Sequence, residues 1–351
     1  MRKTVILACV LWLAAVAVPI LLWGSPTDGA ERNTAAPEER TEIAENGKTE
    51  DSRAENSQDA AVTVHVMMAG REVSYPLDAY LAGVLAAEMP ASFPEEALKA
   101  QAVAARSFIL YRMQHPPADG VHDGVPLCDN SAHCKAYRDI TTLETAAALF
   151  GSNSESDRNK IRAAVRETDG VVLTYDGDPA MAAFHAIAGG RTESAEDVWG
   201  TSVPYLVEVD SPGEENAVKF TETVEFQPDA LRETLLGAYP DAKLGEDPAE
   251  WLTEMQRSPA GMIKSAVLGG MKVSGMELRQ LLGLNSADFV LEVRDGTVFI
   301  TTTGYGHGVG MSQYGARAMA LDGADYTEIL LHYYTGCALD SLEMLEALAE
   351  N

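Results

Sequence analysis

The sequence predicts an α+β fold, in which a helical core is joined to β-hairpins and a glycine-rich loop region. Residues 62–75 alternate apolar and polar side chains around a Gly-Arg turn, a pattern typical of a β-hairpin. Two helical segments, 77–88 and 94–114, follow directly. Strand patterns return at 170–185 and 288–303, but strands and helices do not alternate in a βαβ rhythm. Because a doubly wound sheet requires that rhythm, α+β is the better prediction.

The first residues of the chain indicate export. Arg2 and Lys3 precede an uncharged apolar run of 19 residues, Val5 to Trp23. A helix of about 20 apolar residues spans a bilayer, and the positive flank keeps the N-terminus in the cytoplasm. A cleavable signal peptide is the alternative, although its apolar region is usually only about 7–15 residues long. We therefore expect an uncleaved transmembrane anchor over residues 1–24.

The charge of the chain restricts its partners. A formal net charge of −27 argues against nucleic acid, because there is no basic surface to displace counterions from phosphates. Part of the acidic excess lies in residues 25–61, which have few large apolar side chains and are predicted to form a disordered linker. An extracytoplasmic domain is expected over 62–340, with 213–262 as a peripheral subregion and 341–351 as a C-terminal tail.

The segment 80–107 places one carboxylate at a corner between two helices. The first helix ends at Glu88, Met89-Pro90 interrupts it, and the second starts near Pro94. The C-terminal end of a helix is negative, so it favours the protonated form of an acid, which is the form that a general acid needs. From position alone, a solvated glutamate at a helix end is the simpler interpretation.

The second helix carries polar side chains that are candidates to contact a ligand. Lys99 and Arg106 are seven residues apart and therefore lie on one face, with Gln101 on the same helix. This spacing predicts a cationic stripe beside Glu88. The alternative is that both long side chains extend along an exposed face with their charges in water.

The loop HDGVPLCDNSAHC, residues 122–134, gathers soft metal ligands. Cys128 and Cys134 are six residues apart, His122 lies six residues before the first cysteine, and His133 is a competing histidine. Zinc binds cysteine thiolates and histidine nitrogens in a tetrahedral arrangement. A disulfide between the two cysteines is equally compatible with a location outside the membrane. The spacing matches no standard zinc finger, so the residues themselves leave both possibilities open.

The segment GYGHGVGMSQYG contains four glycines between positions 304 and 310. Glycines this dense indicate unusual backbone conformations or a close approach to a ligand. The segment lacks the Lys-Ser/Thr ending of a phosphate-binding loop, which argues against a nucleotide site. His307 at its centre is either a substrate contact or a structural hydrogen-bonding residue, and His185 before Gly189-Gly190 is a weaker case of the same kind.

Three separated segments together resemble the stage II sporulation protein D family. They are YLAGVLAAEMPASFPEEALKAQAVAARS, FHAIAGGRTESAEDVWGTSVPYL and GYGHGVGMSQYGARAMALDGADYTEILLHYYTG. The resemblance covers most of residues 62–340 and keeps the order of the family's motifs. It implies a membrane-anchored lytic transglycosylase that acts on peptidoglycan during engulfment in a sporulating bacterium.

The resemblance also implies roles for particular residues. The glutamate before Met-Pro, Glu88, matches the family's catalytic acid. His122, Cys128 and Cys134 match the spacing of a structural zinc site described in some members. Candidates to line the glycan cleft are Lys99, Gln101, Arg106, His185, His307 and Gln313.

Two departures from the family's pattern stand near these residues. Ala186, Ile187 and Ala188 replace the usual hydroxyl residues before Gly-Gly, so polar side-chain contacts are not expected there. Lys135 stands where a glutamine is usual. Both departures fall next to proposed site residues and therefore bear on the chemistry.

The activity that the resemblance implies is cleavage of the bond between N-acetylmuramic acid and N-acetylglucosamine, with formation of a 1,6-anhydro ring. The implied partners are glycan strands stripped of stem peptides, a sporulation amidase and a membrane protein of the engulfment complex, at the mother-cell membrane. A non-catalytic, wall-binding activator of an amidase is the alternative of a different class. A zinc hydrolase that uses the Cys/His site is a further enzymatic alternative.

Overall fold

The computed structural model describes residues 57–117, 122, 124–130, 134–343 and 345. The predicted anchor, 1–24, lies outside these residues. Within them, no helix combines the length and the apolar character that crossing a membrane requires.

Up to residue 200 the structure contains α1 (Gln58–Ala61), β1 (Thr63–Met68), β2 (Arg71–Pro76), α2 (Leu77–Glu88), α3 (Glu95–Gln114), β3 (Leu127–Cys128), α4 (Leu143–Phe150), a 3-10 turn (Gly151–Asn153), α5 (Ser154–Glu167), β4 (Val171–Tyr175), β5 (Asp178–Pro179), β6 (Phe184–His185) and α6 (Ala195–Trp199). Beyond it lie β7 (Thr221–Phe226), α7 (Pro228–Ala238), a 3-10 turn (Pro248–Glu250), β8 (Leu252–Arg257), β9 (Ile263–Leu268), β10 (Met271–Val273), α8 (Gly275–Leu282), β11 (Phe289–Arg294), β12 (Thr297–Thr303), β13 (Met311–Ser312), α9 (Gln313–Leu321), α10 (Tyr326–Tyr333) and β14 (Ala338–Ser341). The mixture of helices and small sheets confirms the α+β prediction.

The end of the predicted linker differs from the expectation. Residues 57–61 do not continue a disordered segment but form α1, whose Asp59 is fully buried. Asp169, in the turn after α5, accepts hydrogen bonds from the Ser57 hydroxyl at 2.7 Å and from the Gln58 amide at 2.9 Å. An acidic, polar sequence is ordered here because its donors bond to Asp169, more than 100 residues away, and its Asp59 charge pairs with Arg106, 47 residues away, which local composition does not show.

The predicted hairpin is present as β1 and β2, which pair antiparallel with Val66 opposite Val73. Val64 and Val66 are buried, as the alternating pattern requires. The parallel strand β3 adds to the other edge of β1. That pairing fixes Cys128 beside the hairpin.

Helices α2 and α3 form the corner that the sequence indicates. Helix α2 ends at Glu88 because Pro90 disfavours the helical conformation at Met89, which is extended. Nearly all of α2 is buried, and the aromatic ring of Tyr137 lies against Gly83, where a β-carbon would meet it at 2.2 Å. The small residues therefore allow the loop that follows Cys134 to pack directly on α2.

Residues 221–303 form a second lobe with its own apolar core. The lobe contains the sheets β10-β9-β8 and β11-β12-β7 together with α7 and α8. Leu231, Trp251, Phe289 and Ile300 are among its buried residues. The region predicted to be peripheral and helix-prone, 213–262, is thus the first part of a folded lobe, in which most of the apolar partners come from later in the chain.

Two loops of the main body meet where β6 pairs in parallel with β13. Met311 lies opposite Phe184, and Ser312 lies opposite His185. Tyr305 pairs with Ile187 across the same junction. This pairing brings the glycine-rich loop and the segment around His185 together, next to the start of α9.

Candidate active site

Glu88 is buried at the last position of α2, with 8% of its surface exposed. Its Oε1 accepts one hydrogen bond, from the Ala136 amide at 3.0 Å. Burial raises the pKa of Glu88, and the Lys135 charge and the Ala136 amide act against that shift. The site therefore favours a protonated carboxyl, as general-acid chemistry requires.

Lys135 is the charged neighbour of Glu88, and sequence reasoning did not assign it to the candidate site. Its ammonium lies 4.2 Å from the ring centre of Phe108 and 3.5 Å from that of Phe184. Burial lowers the pKa of Lys135 to about 8, while the charge of Glu88 acts in the opposite direction. The available signal was its departure from the family's glutamine next to a metal-ligand candidate.

Gln101 and Gln313 meet between α3 and α9. The Gln313 Nε2 donates to Gln101 Oε1 at 3.4 Å. Both side chains are buried, and Gln101 Nε2 has no hydrogen-bond partner among the residues that the structure describes. An unsatisfied buried amide costs free energy, so this donor is available for a ligand oxygen.

His185 and His307 are buried neighbours, with their ring centres 5.6 Å apart. The His185 Nδ1 lies 3.1 Å from the Val309 carbonyl oxygen, and His307 Nδ1 accepts the Val309 amide at 3.1 Å. Burial lowers the pKa of His185 to about 4 and that of His307 well below its ordinary value. The Lys135 charge also lowers the pKa of His307. Because Lys135 acts on Glu88 too, the histidine pair and Glu88 are electrostatically coupled to the same lysine.

Both histidines are therefore neutral at physiological pH. Since a carbonyl only accepts, the proton of His185 is on Nδ1 and its Nε2 is a lone-pair acceptor. That Nε2 is buried without a partner in the described part of the chain. It is placed to accept a hydrogen bond from a sugar hydroxyl or amide.

The expectation that Lys99 and Arg106 line the site is wrong. They do share a face of α3, but that face packs against α5. Lys99 bridges Glu96 at 2.8 Å and Glu167 at 2.9 Å. Helix α5 supplies a carboxylate partner to Lys99 and a carbonyl partner to Arg106. Both cations therefore have their partners within the fold and do not face Glu88.

Arg106 is fully buried and pairs with Asp59. Its Nε donates to the two carboxylate oxygens at 2.8 and 2.9 Å, and its Nη1 donates to the Val171 carbonyl at 3.0 Å. The residue is therefore a structural tie between α1, α3 and β4. Its partner lies 47 positions earlier, so helical spacing could not indicate it.

The sulfur and nitrogen atoms of His122, Cys128 and Cys134 lie within 4.8 Å of one another, and all three residues are buried. The Cys134 Sγ is 3.5 Å from His122 Nε2. Ligands about 2.1–2.3 Å from a tetrahedral zinc ion lie roughly 3.4–3.8 Å apart, so this separation fits a zinc site. A hydrogen bond from Cys128 lowers the pKa of Cys134 below its ordinary value, which favours the thiolate form that binds zinc.

At positions 186–188 this chain lacks the hydroxyl side chains that the family usually has. Backbone amides of this loop make polar contacts with Glu214 instead. The buried Glu214 carboxylate accepts the amides of Ala188, Gly189 and Gly190 at 3.2, 3.0 and 3.2 Å. It also accepts the hydroxyl of Ser312, the cap of α9. Glu214 thus fixes the loop after His185 relative to Gln313, and no sequence motif pointed to it.

The observed site therefore contains one buried acid, a desolvated lysine, two neutral histidines and a pair of amides. Among the sequence-predicted residues, the structure pairs His185 with His307 and Gln101 with Gln313, and Gln313 directly follows Ser312, which lies opposite His185. Lys135 acts electrostatically on both Glu88 and His307. The metal-ligand cluster lies next to them in the chain, since Cys134 immediately precedes Lys135. Such an arrangement supplies a proton donor and polar contacts among buried groups.

Comparison with known proteins gives a consistent result. Residues 71–175 match the family described as stage II sporulation protein. Stage II sporulation protein D of Bacillus amyloliquefaciens is 40% identical over 262 residues, which cover 74% of this chain and 73% of that protein. Its counterpart in Bacillus subtilis (strain 168) is 32% identical over 345 residues, covering 98% of this chain and 97% of that protein.

An amidase enhancer of Bacillus subtilis (strain 168) is also similar. It is 29% identical over 311 residues, covering 74% of this chain but only 40% of that protein. The two sporulation proteins are more similar in identity, and the one from Bacillus subtilis matches over nearly the full length of both chains. The chain belongs to the stage II sporulation protein D family.

Proposed function

We propose that this sporulation protein is a peptidoglycan lytic transglycosylase whose acid is Glu88. The family gives it a role in sporulation. The observation that carries the enzymatic proposal is the burial of Glu88 with a raised pKa beside Lys135. A solvated glutamate at a helix end would not be desolvated in this way, and Glu88 accepts only one protein hydrogen bond among the described residues.

In the proposed reaction, Glu88 protonates the oxygen of the bond between N-acetylmuramic acid and N-acetylglucosamine. As that bond breaks, an oxocarbenium-like species develops at the muramic acid C1. The Glu88 carboxylate then takes the proton of the sugar's own C6 hydroxyl, whose oxygen bonds to C1 and closes the 1,6-anhydro ring. Most glycosidases use two carboxylates; here no water needs activation, so one acid suffices.

Lys135 supports the intermediate stage of this reaction. When Glu88 has given up its proton, its carboxylate is buried and needs a counter-charge. The Lys135 ammonium and the Ala136 amide supply it, since both favour the ionised form of Glu88. Gln101 Nε2 and His185 Nε2 are suited to hold the sugar, because each is a buried hydrogen-bonding atom without a partner among the described residues, and Gln313 fixes the Gln101 amide.

Mass spectrometry of digested glycan strands tests the proposal. Anhydro-muramic ends support a transglycosylase, whereas reducing ends indicate a hydrolase, including one that uses the Cys/His cluster. Glu88→Gln should lower product formation about 10²–10⁴-fold. Glu95→Gln, an exposed carboxylate at the start of α3, is the matched control and should keep full activity. If Glu88→Gln retains product formation, the mechanism is wrong.

A non-catalytic activator of an amidase is the second candidate, favoured by the similarity to the amidase enhancer. In that case the purified protein would bind glycan strands without producing new ends. It would instead raise the rate of an added N-acetylmuramoyl-L-alanine amidase. The same digestion, with and without the amidase, separates the two functions.

We also propose that His122, Cys128 and Cys134 hold a structural zinc ion. The cluster has the donor set and spacing for zinc, and Cys134 is two residues before the amide that binds Glu88. The ion would fix that loop. Metal analysis should find about one zinc per chain, lost in Cys128→Ala and kept in Cys337→Ala, a cysteine outside the cluster. Zinc removal should lower the melting temperature, and retention of zinc by Cys128→Ala would contradict the assignment.

The proposed location is the mother-cell membrane, with residues 1–24 as anchor and 62–340 outside the cytoplasm. The proposed partners are peptide-stripped glycan strands, a sporulation amidase and a membrane protein of the engulfment complex. Membrane fractionation after removal of the first 24 residues tests the anchor, because the truncated protein should no longer sediment with membranes.

A further inference from the structure

Arg279 connects the second lobe to the glycine-rich loop. It lies in the last turn of α8, and its Nε donates to the Asn285 carbonyl at 3.0 Å. The same carbonyl accepts the Gly306 amide at 3.0 Å. The guanidinium is therefore fixed next to the residue that precedes His307.

The charge of Arg279 has no counter-ion in the described part of the chain. Its Nε makes one hydrogen bond, but neither Nη atom has a hydrogen-bond or ion-pair partner among the described residues, although a guanidinium offers five N–H donors. By contrast, both Nη atoms of Arg257, in the same lobe, are hydrogen-bonded: they donate to the Asp288 carboxylate at 2.8 Å and to the carbonyls of Gly261 and Phe289. Two donor groups of a partly buried arginine are thus left for a ligand.

This charge acts on the site described above. It lowers the pKa of both His185 and His307, so its field reaches the two buried imidazoles. Together with the hydrogen bond to the Asn285 carbonyl, this places the guanidinium beside the histidine pair and the glycine-rich loop. Burial lowers the pKa of Arg279, as expected for a cation without a paired carboxylate.

A second cation lies at the same place. The Lys219 ammonium is 4.9 Å from the ring centre of Tyr305, whose backbone pairs with Ile187. Lys219 has no carboxylate within ion-pair distance among the residues with known positions. Glu222, which lies close enough to influence Tyr305, is engaged by the side-chain amide of Asn285. In a chain of net charge −27, two uncompensated cations at one junction are a specific feature.

We propose that Arg279 and Lys219 form a carboxylate-binding subsite beside the glycine-rich loop, which binds a carboxylate of the peptidoglycan strand. The inference rests on the proposed function. A fork of two N–H groups matches the geometry of a carboxylate, whereas neutral sugar hydroxyls do not require a cation. Two sources offer that chemistry: the lactyl group of muramic acid, when no peptide is attached, and the free carboxylates of a stem peptide.

Binding measurements in the inactive Glu88→Gln protein test the subsite without depending on catalysis. Titration calorimetry would use three soluble strands: peptide-free strands, peptide-bearing strands, and peptide-free strands whose lactyl carboxylates have been converted to amides. Arg279→Met should weaken binding of a carboxylate-bearing strand about tenfold or more, the order expected for a charged hydrogen bond. Its affinity for the amidated strand should not change.

Controls separate a lost subsite from a disturbed fold. Arg294→Met removes the same charge from an exposed position of the same lobe and should leave all affinities unchanged. Lys219→Met provides a second variant in case Arg279→Met unfolds, and should weaken the same strand by a smaller factor. Arg279→Lys should restore part of the affinity, since it keeps the charge but not the fork.

The outcomes have distinct meanings. Selective weakening with peptide-free strands assigns the lactyl carboxylate, and selective weakening with peptide-bearing strands assigns the stem peptide. Equal weakening with amidated strands, or no weakening at all, overturns the subsite while leaving the Glu88 mechanism intact. Product formation by Glu88→Gln would overturn the mechanism while leaving a carboxylate-dependent affinity standing.

Discussion

Asp59 with Arg106 and Glu88 with Lys135 are two buried acid–base pairs in the described part of the chain, and they differ in how their charges are satisfied. Asp59 and Arg106 are both fully buried and joined by several direct hydrogen bonds. Glu88 and Lys135 are also buried, but they influence each other without an ion pair between them. Burial raises the pKa of both acids, with the neighbouring cation acting against it.

The direction of the pKa shift therefore does not distinguish the structural acid from the chemical one. The hydrogen bonds that each carboxyl group accepts do distinguish the two acids. Asp59 receives the Arg106 guanidinium and the Gly170 amide, while Glu88 receives a single amide. A carboxylate whose lone pairs are occupied cannot easily exchange a proton with a substrate. Glu88 retains that capacity, because one oxygen of its carboxyl group has no donor among the residues that the structure describes.

The largest expected effect is that of Asp59→Ala on stability. The substitution leaves the Arg106 charge buried without a partner, which typically costs about 3–5 kcal/mol of unfolding free energy. Urea unfolding followed by circular dichroism measures the loss. Activity per folded molecule should be unchanged, because neither residue contacts the Glu88 site.

A double variant controls this experiment. In Asp59→Ala with Arg106→Leu the uncompensated charge is gone, so part of the lost stability should return. A loss below about 1 kcal/mol in the single variant would show that α1 does not hold the pair buried in solution. The contrast between the two acids would then fail.

Local sequence rules located the acid of the site but not its surroundings. Proline at position 90 and the restart near Pro94 are local signals, so the corner at Glu88 was predictable. The hairpin 62–75 was predictable for the same reason, since alternation and a glycine turn suffice. The loops carrying His185 and His307 could be recognised as unusual from their glycines, although not as neighbours.

The remaining features depend on contacts between distant parts of the chain. Helical spacing correctly put Lys99 and Arg106 on one face, but it could not show that α5 covers that face. Lys135 becomes a site residue only because its loop returns to α2 and inserts the ammonium between Phe108 and Phe184. Partner choice of this kind follows from tertiary packing, which a pattern of residue types does not encode.

The next expected effect concerns the stability of Glu88→Gln. The folded protein raises the pKa of Glu88, so this group's stabilising contribution is complete below its unfolded pKa and is lost as the pH rises through its folded pKa. Removing the carboxyl should therefore raise the unfolding free energy at about pH 7, by roughly 1.4 kcal/mol per unit of pKa elevation, and change it little near pH 4. A lower stability at neutral pH would mean that Glu88 is a satisfied structural charge like Asp59.

Replacing Lys135 by the family's usual glutamine sharpens the same point. Without the ammonium, the buried carboxylate is less well compensated, so the stability gained by a further Glu88→Gln substitution should be larger than in the wild-type background. Urea unfolding of the two single variants and the double variant gives this coupling directly. Equal gains in both backgrounds would show that Lys135 does not act on Glu88.

The smallest expected effect is a displacement of the pH profile. Product formation by a general acid declines as the pH rises through the pKa of that acid. Lys135 lowers the pKa of Glu88, so Lys135→Gln should shift the alkaline limb of the profile to higher pH, by about one pH unit at most. Lys272→Gln, an exposed cation of the second lobe, changes the net charge equally and should leave the limb in place. Initial rates of anhydro-muramic product across the pH range measure both variants. An unmoved limb in Lys135→Gln would mean that the acid setting the profile is not the one facing Lys135. The Asp59–Arg106 and Glu88–Lys135 pairs would then differ in their hydrogen bonds but not in their chemical role.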